Sequence, residues 1–317
     1  MELFRDAKID WLGRKWYFLS FSLIFSVAGI LSMLFWHKIP LGVDFKGGTQ
    51  IQVQFASTPS ENHIREALSS AGIKDSIVYP IYNAAAQSAN TEIISLPEAS
   101  DTAQDAGRTA VENALSSGYH DSAFTIQKVD IVGPTAGTQL QHQAELATLY
   151  SLLGMLIYLW FRFELIYGVA AVVAVFHDTL ITLGAFSLTN QEITLTVVAA
   201  ILTLIGYSMN DTIVVFDRIR ENLALSRRES LTDVVNRSIN QTLSRTVISS
   251  GLTFLTVLSL LVFGGSVLRG FSFALTVGIV IGTYSSIAVA APMLVAYQDW
   301  RKRGGKVANL PAKRARA

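Results

Sequence analysis

Six long apolar runs constrain this chain more than any other feature of its sequence. The first, 16–36, carries no charged residue, and at about 1.5 Å per helical residue it reaches roughly 30 Å, the thickness of one bilayer hydrocarbon core. The predicted membrane-spanning segments are 16–36, 146–161, 165–188, 193–216, 246–263 and 271–298. We therefore expect an α-helical membrane protein with six transmembrane helices.

The composition agrees with a membrane location. Of the 317 residues, 50% are hydrophobic and only 15% are charged, whereas soluble proteins carry about 25% charged residues. The chain has no cysteine, which excludes disulfides, thiolate metal sites and cysteine nucleophiles. The first run is longer than a signal-peptide core and is followed by His37, Lys38, Ile39 and Pro40 rather than by small residues, which favours a retained span.

Basic residues recur in alternate segments between the spans, which predicts the orientation of the chain, because Lys and Arg are enriched in cytoplasmic loops. We assign 1–15, 217–245 and the basic tail 299–317 to the cytoplasm, together with the short turn at Arg162. The large segment 37–145 carries 6 Lys/Arg against 12 Asp/Glu and is placed on the opposite, periplasmic side. The basic residues that support this are Arg5, Lys8, Arg14, Lys15, Arg162, Arg218, Arg220, Arg227, Arg228, Arg237, Arg301, Lys302, Arg303, Lys306, Lys313, Arg314 and Arg316.

The segment 37–145 has the pattern of a small α+β domain. Residues 49–55 alternate apolar and polar, which is typical of a half-buried strand. A helix is predicted after it, then strands over 77–82 and 92–96, a second helix from Asp101 to Gly118, and a last strand over 124–132. The order β-α-β-β-α-β predicts a ferredoxin-like fold. His63 and His120 stand alone in the sequence, and no group of residues here suggests an enzyme.

Ionisable or amide side chains inside the predicted spans are the candidate functional residues, because a charge at the bilayer centre costs about 2.5–3.5 kcal/mol on insertion scales. They are His177, Asp178, Asn210, Asp211 and Arg245. His177 and Asp178 could simply bond to a neighbouring helix, and Arg245 could extend to the interface as an ordinary basic residue. Asp211 needs either a partner or a proton, so it could serve a structural role or carry protons. In the last span, Gly278 and Gly282 predict close helix packing.

Several motifs resemble those of the SecF family of protein-export membrane subunits, a branch of the SecD/SecF family within the resistance–nodulation–division superfamily. The first, GVDFKGGT, follows the first span, and the longest, IGYSMNDTIVVFDRIREN, covers the fourth. The matching segments are 42–49, 132–134, 176–178, 205–222, 240–246 and 282–286.

This resemblance implies a function that composition and spacing alone do not give. It implies an accessory subunit of the bacterial inner-membrane Sec translocase that pairs with SecD and works with the SecYEG channel, and indirectly with SecA. Together with SecD it would use the proton-motive force to complete the export of unfolded polypeptides. It further implies that Asp211 and Arg245 take part in proton conduction. We expect no catalytic activity, no cofactor or metal and no nucleic-acid partner, and we expect the basic tail to contact membrane lipid.

Two other functions remain open on the sequence. A proton-coupled small-molecule exporter of the same superfamily is one, although such proteins usually carry twelve spans and two large periplasmic domains in a single chain. A non-conducting scaffold for the export channel is the other, and a carboxylate inside a span, Asp211, argues against it.

Overall fold

Six long apolar helices and one small antiparallel sheet make up the structure, a computed structural model that describes residues 8–73, 76–83, 88–96, 106–163, 165–226 and 229–303. Each of the six helices is long and apolar enough to cross a membrane, as the sequence predicts. They are α1 (Lys15–Leu31, continued by the π-helical segment Ser32–Trp36), α5 (Pro134–Arg162), α6 (Leu165–Thr189), α7 (Leu195–Leu225), α8 (Leu231–Phe263), and α9 (Gly265–Ser285) joined to α10 (Ala291–Arg303) by the π-helical segment Ser286–Ala290. The chain is therefore an integral membrane protein.

Three of these helices, α5, α7 and α8, extend well beyond the apolar runs that predict them. The first of them, α5, begins at Pro134 and not at residue 146. Residues 217–245, expected to form a loop, are instead largely helical, because α7 continues to Leu225 and α8 begins at Leu231. The first turns of α8 are stabilised by apolar residues at helical spacing, and Val234, Val235 and Ile239 are fully buried there. At about 1.5 Å per residue α8 is roughly 50 Å long. Arg245, expected at the start of a helix, lies in the middle of it.

The extramembrane domain lies between α1 and α5 in the chain. It consists of α2 (Val43–Lys46), β1 (Gly48–Phe55), α3 (Glu61–Ser70), β2 (Ile77–Asn83), β3 (Ser88–Leu96), α4 (Ala106–Gly118) and β4 (Phe124–Val132). The strands pair antiparallel in the order β2-β3-β1-β4, and from β1 onward the succession of elements is the predicted β-α-β-β-α-β. Ile51, Val53 and Phe55 of β1 form a core with apolar residues of α3 and α4.

Some of the predicted features lie outside the described residues. These are the start of the second helix near Asp101, the turn residue Glu164, the basic residues Arg5, Arg227 and Arg228, and residues 304–317 of the basic tail.

The helix bundle has an inner and an outer set. In the apolar 18-residue stretch of each span, half of the residues are buried in α6 and in α7, and 67% are buried in the last span. The corresponding share is 17% in α1 and α8 and 6% in α5. Glycines allow the inner helices to approach closely, because a methyl group at Gly282 of α9 would come within 2.9 Å of the Ser208 Cβ in α7. Gly278 lies against Leu204 in the same way, so both predicted packing glycines face α7.

Candidate functional site

A cluster of polar side chains lies inside the bundle, and its first centre is Asp178 of α6. The side chain is 1% exposed. One carboxylate oxygen, Oδ2, accepts hydrogen bonds from Ser208 Oγ of α7 at 2.5 Å and from Ser285 Oγ of α9 at 2.8 Å. The other, Oδ1, lies 3.0 Å from His177 Nδ1. Asp178 therefore joins three helices through one carboxylate.

Asp211 of α7 is the second centre, and it is 2% exposed. Its Oδ2 accepts a hydrogen bond of 2.7 Å from Ser250 Oγ of α8 and a longer one of 3.4 Å from Thr283 Oγ1 of α9. The two centres are linked through α7 and α9, because α9 donates a hydroxyl to each carboxylate and α7 carries both Asp211 and Ser208, a donor to Asp178.

The other three predicted residues have different surroundings. His177 is mostly buried, and its Nε2 has no hydrogen-bond partner among the described residues. Asn210 and Arg245 are exposed on the outside of this single chain. The structure shows no direct ion pair between Arg245 and Asp211, both of which it describes. The α8 residue that bonds to Asp211 is Ser250, which lies five residues beyond Arg245.

Hydroxyl partners give both carboxylates a way to exist in two protonation states. A serine or threonine hydroxyl donates to an ionised carboxylate, and it can rotate to accept from the protonated acid. Each centre can then gain or lose a proton while its hydrogen bonds persist with their directions changed. The arrangement is suited to holding and moving a proton inside a medium that penalises unpaired charge.

Sequence reasoning found both carboxylates and missed the residues that hold them. The four hydroxyl donors, Ser208, Ser250, Thr283 and Ser285, are small residues that occur frequently in spans for packing alone. Three of them, Ser208, Thr283 and Ser285, lie within the motifs 205–222 and 282–286, whereas Ser250 lies in none of the matched motifs.

Comparison with known proteins identifies the same family that the sequence motifs resemble. The family model described as "Protein export membrane protein SecD/SecF, C-terminal" matches residues 111–300, and the "SecD/SecF GG Motif" model matches residues 37–59. A protein translocase subunit SecF from Koribacter versatilis is 52% identical over 97% of this chain and 96% of its own length. Another, from Calditerrivibrio nitroreducens, is 42% identical over 94% of this chain and 97% of its own length.

Solved structures also match. The crystal structure of SecDF from Thermus thermophilus, described as a translocon-associated membrane protein, superposes with a TM-score of 0.83 at 36% identity, over 94% of this chain and 40% of that one. SecDF in a super-membrane-facing form superposes with a TM-score of 0.67. This chain thus spans about two fifths of the SecDF chain that it matches.

Proposed function

This chain belongs to the SecD/SecF family of protein-export membrane proteins, and from that premise we propose that it uses a proton gradient to help complete the export of unfolded polypeptides. The observation that carries the proposal is the pair of carboxylates, Asp178 and Asp211, buried within the bundle and held only by hydroxyls and one histidine. Among the residues that the structure describes, no lysine or arginine forms an ion pair with either carboxylate, so protonation is the means of removing a charge that the membrane disfavours.

A partner in the membrane is part of this proposal. The outward side of α7 presents small and polar residues at helical spacing, namely Ala199, Thr203, Gly206 and Asn210, and Arg245 is exposed on α8. An amide and a guanidinium facing hydrocarbon would be costly, whereas small residues allow another helix to pack closely. We propose that SecD covers this side and that the complex acts beside the SecYEG channel, after SecA.

Arg245 would then act as a modulator of Asp211. A guanidinium approaching a carboxylate favours its ionised form, and a guanidinium moving away favours the return of the proton. Because Arg245 lies on α8 and Asp211 on α7, such a change of distance would link protonation to helix movement. His177 and Asn210 would complete the proton route on the α6 side and on the outward side of α7.

The energy available is sufficient for a conformational step. Moving one charge through about 100 mV releases roughly 2.3 kcal/mol, so a proton crossing about 150 mV releases roughly 3.5 kcal/mol. That is enough to reverse the populations of two states that differ by about 1.7 kcal/mol. We place the segments 1–15, 217–245 and 299–317 in the cytoplasm and the extramembrane domain in the periplasm of a bacterial inner membrane, following the distribution of basic residues.

The test is the substitution Asp211→Asn, which keeps the shape of the side chain and removes its titration. Export of a secreted precursor should fail, while the abundance of the protein and its co-purification with SecD stay normal. The matched control is Asp299→Asn, which removes an exposed carboxylate at the end of α10 and should export as the parent does. Normal export with Asp211→Asn would exclude an essential proton role and would favour the scaffold interpretation.

A further inference from the structure

We propose that Asp44 and Glu192 are positioning residues that connect the extramembrane domain to α7, the helix that carries Asp211. The inference rests on the proposed function, because it assigns the route by which a proton event in the bundle would act on the domain. Neither residue belongs to the buried cluster, and both lie where the chain enters or leaves the bundle.

Asp44 caps α7 from a distant part of the chain. Its Oδ2 accepts a hydrogen bond of 2.8 Å from the backbone N–H of Leu195, the first residue of α7. The local N-cap residue, Thr194, makes no side-chain cap bond, and its hydroxyl pairs with that of Thr196 instead. A carboxylate at a helix N-terminus satisfies a free N–H and interacts favourably with the helix dipole. The α2 segment therefore supplies the cap that α7 lacks locally.

The backbone reinforces this contact. Leu41 pairs with Ile193 in a short parallel bridge, in which Gly42 N–H donates to Ile193 O at 2.9 Å and Ile193 N–H donates to Pro40 O at 2.7 Å. A Cβ at Gly42 would lie 3.2 Å from Ile193 O, so the two segments approach closely. The segment that leads from α1 into the domain is thus fixed to the turn that leads from α6 into α7.

Glu192 holds the sheet itself. Its Oε2 accepts a hydrogen bond of 3.2 Å from Gln50 Nε2 of β1, and its Oε1 accepts one of 3.0 Å from Ser95 Oγ of β3. Gln50 and Ser95 face each other across the β1–β3 ladder. One carboxylate of the α6–α7 turn therefore binds both members of a cross-strand pair, and it fixes the position of two adjacent strands rather than of one side chain.

These contacts make α7 a rigid link between the sheet and the buried cluster. Leu195 and Asp211 lie on the same helix, about 24 Å apart at 1.5 Å per residue. A shift of α7 that follows a change at Asp211 would move its N-terminus, and Asp44 and Glu192 would transmit that shift to the sheet. Without them the sheet would lose its side-chain bonds to the α6–α7 turn, while the backbone bridge and the packing of α2 against α5 would remain.

The absence of native cysteines permits a direct test by spin labelling. Labels at Asn113→Cys in α4 and Phe263→Cys at the end of α8, both exposed positions, report the distance between the domain and the bundle in the full chain reconstituted in lipid. Double electron–electron resonance is recorded with Asp211 and with Asp211→Asn. We expect Asp211→Asn to shift the distance distribution, and we expect that shift to be lost when Asp44→Ala and Glu192→Ala are present.

Two further variants separate transmission from simple folding. Asp44→Asn keeps an oxygen that can accept the hydrogen bond from the Leu195 N–H. With Glu192 unchanged, this variant should retain the distance shift that Asp211→Asn causes. Asp130→Ala removes an exposed carboxylate that pairs with Lys128 within the domain, so it should retain the shift as well. A shift of parental size in the Asp44→Ala/Glu192→Ala chain overturns this inference and leaves the proposed function intact. If Asp211→Asn causes no distance shift in the chain that keeps Asp44 and Glu192, then protonation of Asp211 does not move the domain, and the proposed proton coupling and this inference both fail.

Discussion

Buried carboxylates occur both in the helix bundle and in the extramembrane sheet, and the two regions treat them differently. Asp178, Asp211 and Glu92 are each at most 2% exposed. In the bundle, each carboxylate accepts two hydroxyl hydrogen bonds. In the sheet, Glu92 lies opposite Val53 of β1 and Pro80 of β2, and its Oε2 has no partner among the described residues.

The difference concerns which protonation state each region stabilises. Hydroxyl donors in the bundle stabilise the ionised form while leaving the protonated form possible. The pKa of Glu92 is raised from 4.5 to about 7, chiefly by burial and also by the nearby charge of Glu61, while the charge of Arg65 acts to lower it. The sheet therefore favours the neutral acid, because desolvation of the charge is not offset by hydrogen bonds. The comparison indicates that a buried carboxylate without hydrogen-bond donors holds its proton, whereas hydroxyl donors allow a buried carboxylate to release it.

Removing the donors around Asp178 should have the largest effect. In Ser208→Ala/Ser285→Ala the carboxylate loses both hydroxyl bonds, and a hydrogen bond to a charged group contributes about 1.5–3 kcal/mol. We expect the free energy of unfolding of the purified chain in detergent to fall by about 3 kcal/mol or more. The matched control is Ser272→Ala, since Ser272 is equally buried in α9 but donates only to backbone carbonyls of its own helix. An equal loss in the control would mean that packing, and not donation to Asp178, is what matters.

Glu92→Gln tests the other half of the comparison. A carboxylate whose folded pKa of about 7 exceeds its ordinary value of 4.5 stabilises the fold fully below about pH 4.5 and loses that contribution as the pH rises through 7. At about 1.4 kcal/mol per pKa unit, the loss well above pH 7 is about 3.5 kcal/mol. Glutamine cannot ionise, so the variant should keep its stability at alkaline pH.

Hydrogen exchange of the β1 and β3 amides in the full chain, recorded between pH 6 and 8 and corrected for intrinsic rates, measures this effect. The parent should lose protection with rising pH, and Glu92→Gln should not. Glu112→Gln, which removes an exposed carboxylate of α4, should follow the parent. A Glu92→Gln profile that parallels the parent would show that Glu92 does not control the pH dependence of the sheet.

How far the sequence predicts each region depends on whether the signal is local. The six spans and the two bundle carboxylates are predictable, because hydropathy and a charge within an apolar run need no knowledge of neighbours. The partners are not predictable, since Ser250 lies 39 positions from Asp211 and Asp44 lies 151 positions from the helix end that it caps. Likewise the burial of Glu92 depends on the pairing of three strands. The same holds for His63, an exposed histidine that stands alone in the sequence, because its partner Asp121, with Oδ2 2.5 Å from His63 Nδ1, lies 58 positions away.

The smallest expected effect concerns that His63–Asp121 pair on the surface of the extramembrane domain. The hydrogen bond and the charge of Asp121 raise the pKa of His63 above 6.5, so the pair stabilises the fold below about pH 6.5 and loses its contribution as the pH rises through the raised value. Both side chains are about half exposed, at 58% and 48%, and solvent screens such pairs strongly. Asp121→Asn should therefore lower the pKa of His63, followed by NMR, with little change in stability.

The pair and Glu92 weaken in the same direction as the pH rises, for opposite reasons: His63 loses a charge that has a partner, whereas Glu92 gains a charge that has none. Asp130→Asn, a change at a carboxylate paired with Lys128, should leave the titration of His63 unaltered. The contrary outcome has two parts: Glu92→Gln alone leaves the pH dependence of domain stability in place, and adding Asp121→Asn then removes it. In that case the surface pair would be the pH-sensitive element. The contrast between buried carboxylates with and without donors would then not explain how the stability of the domain depends on pH.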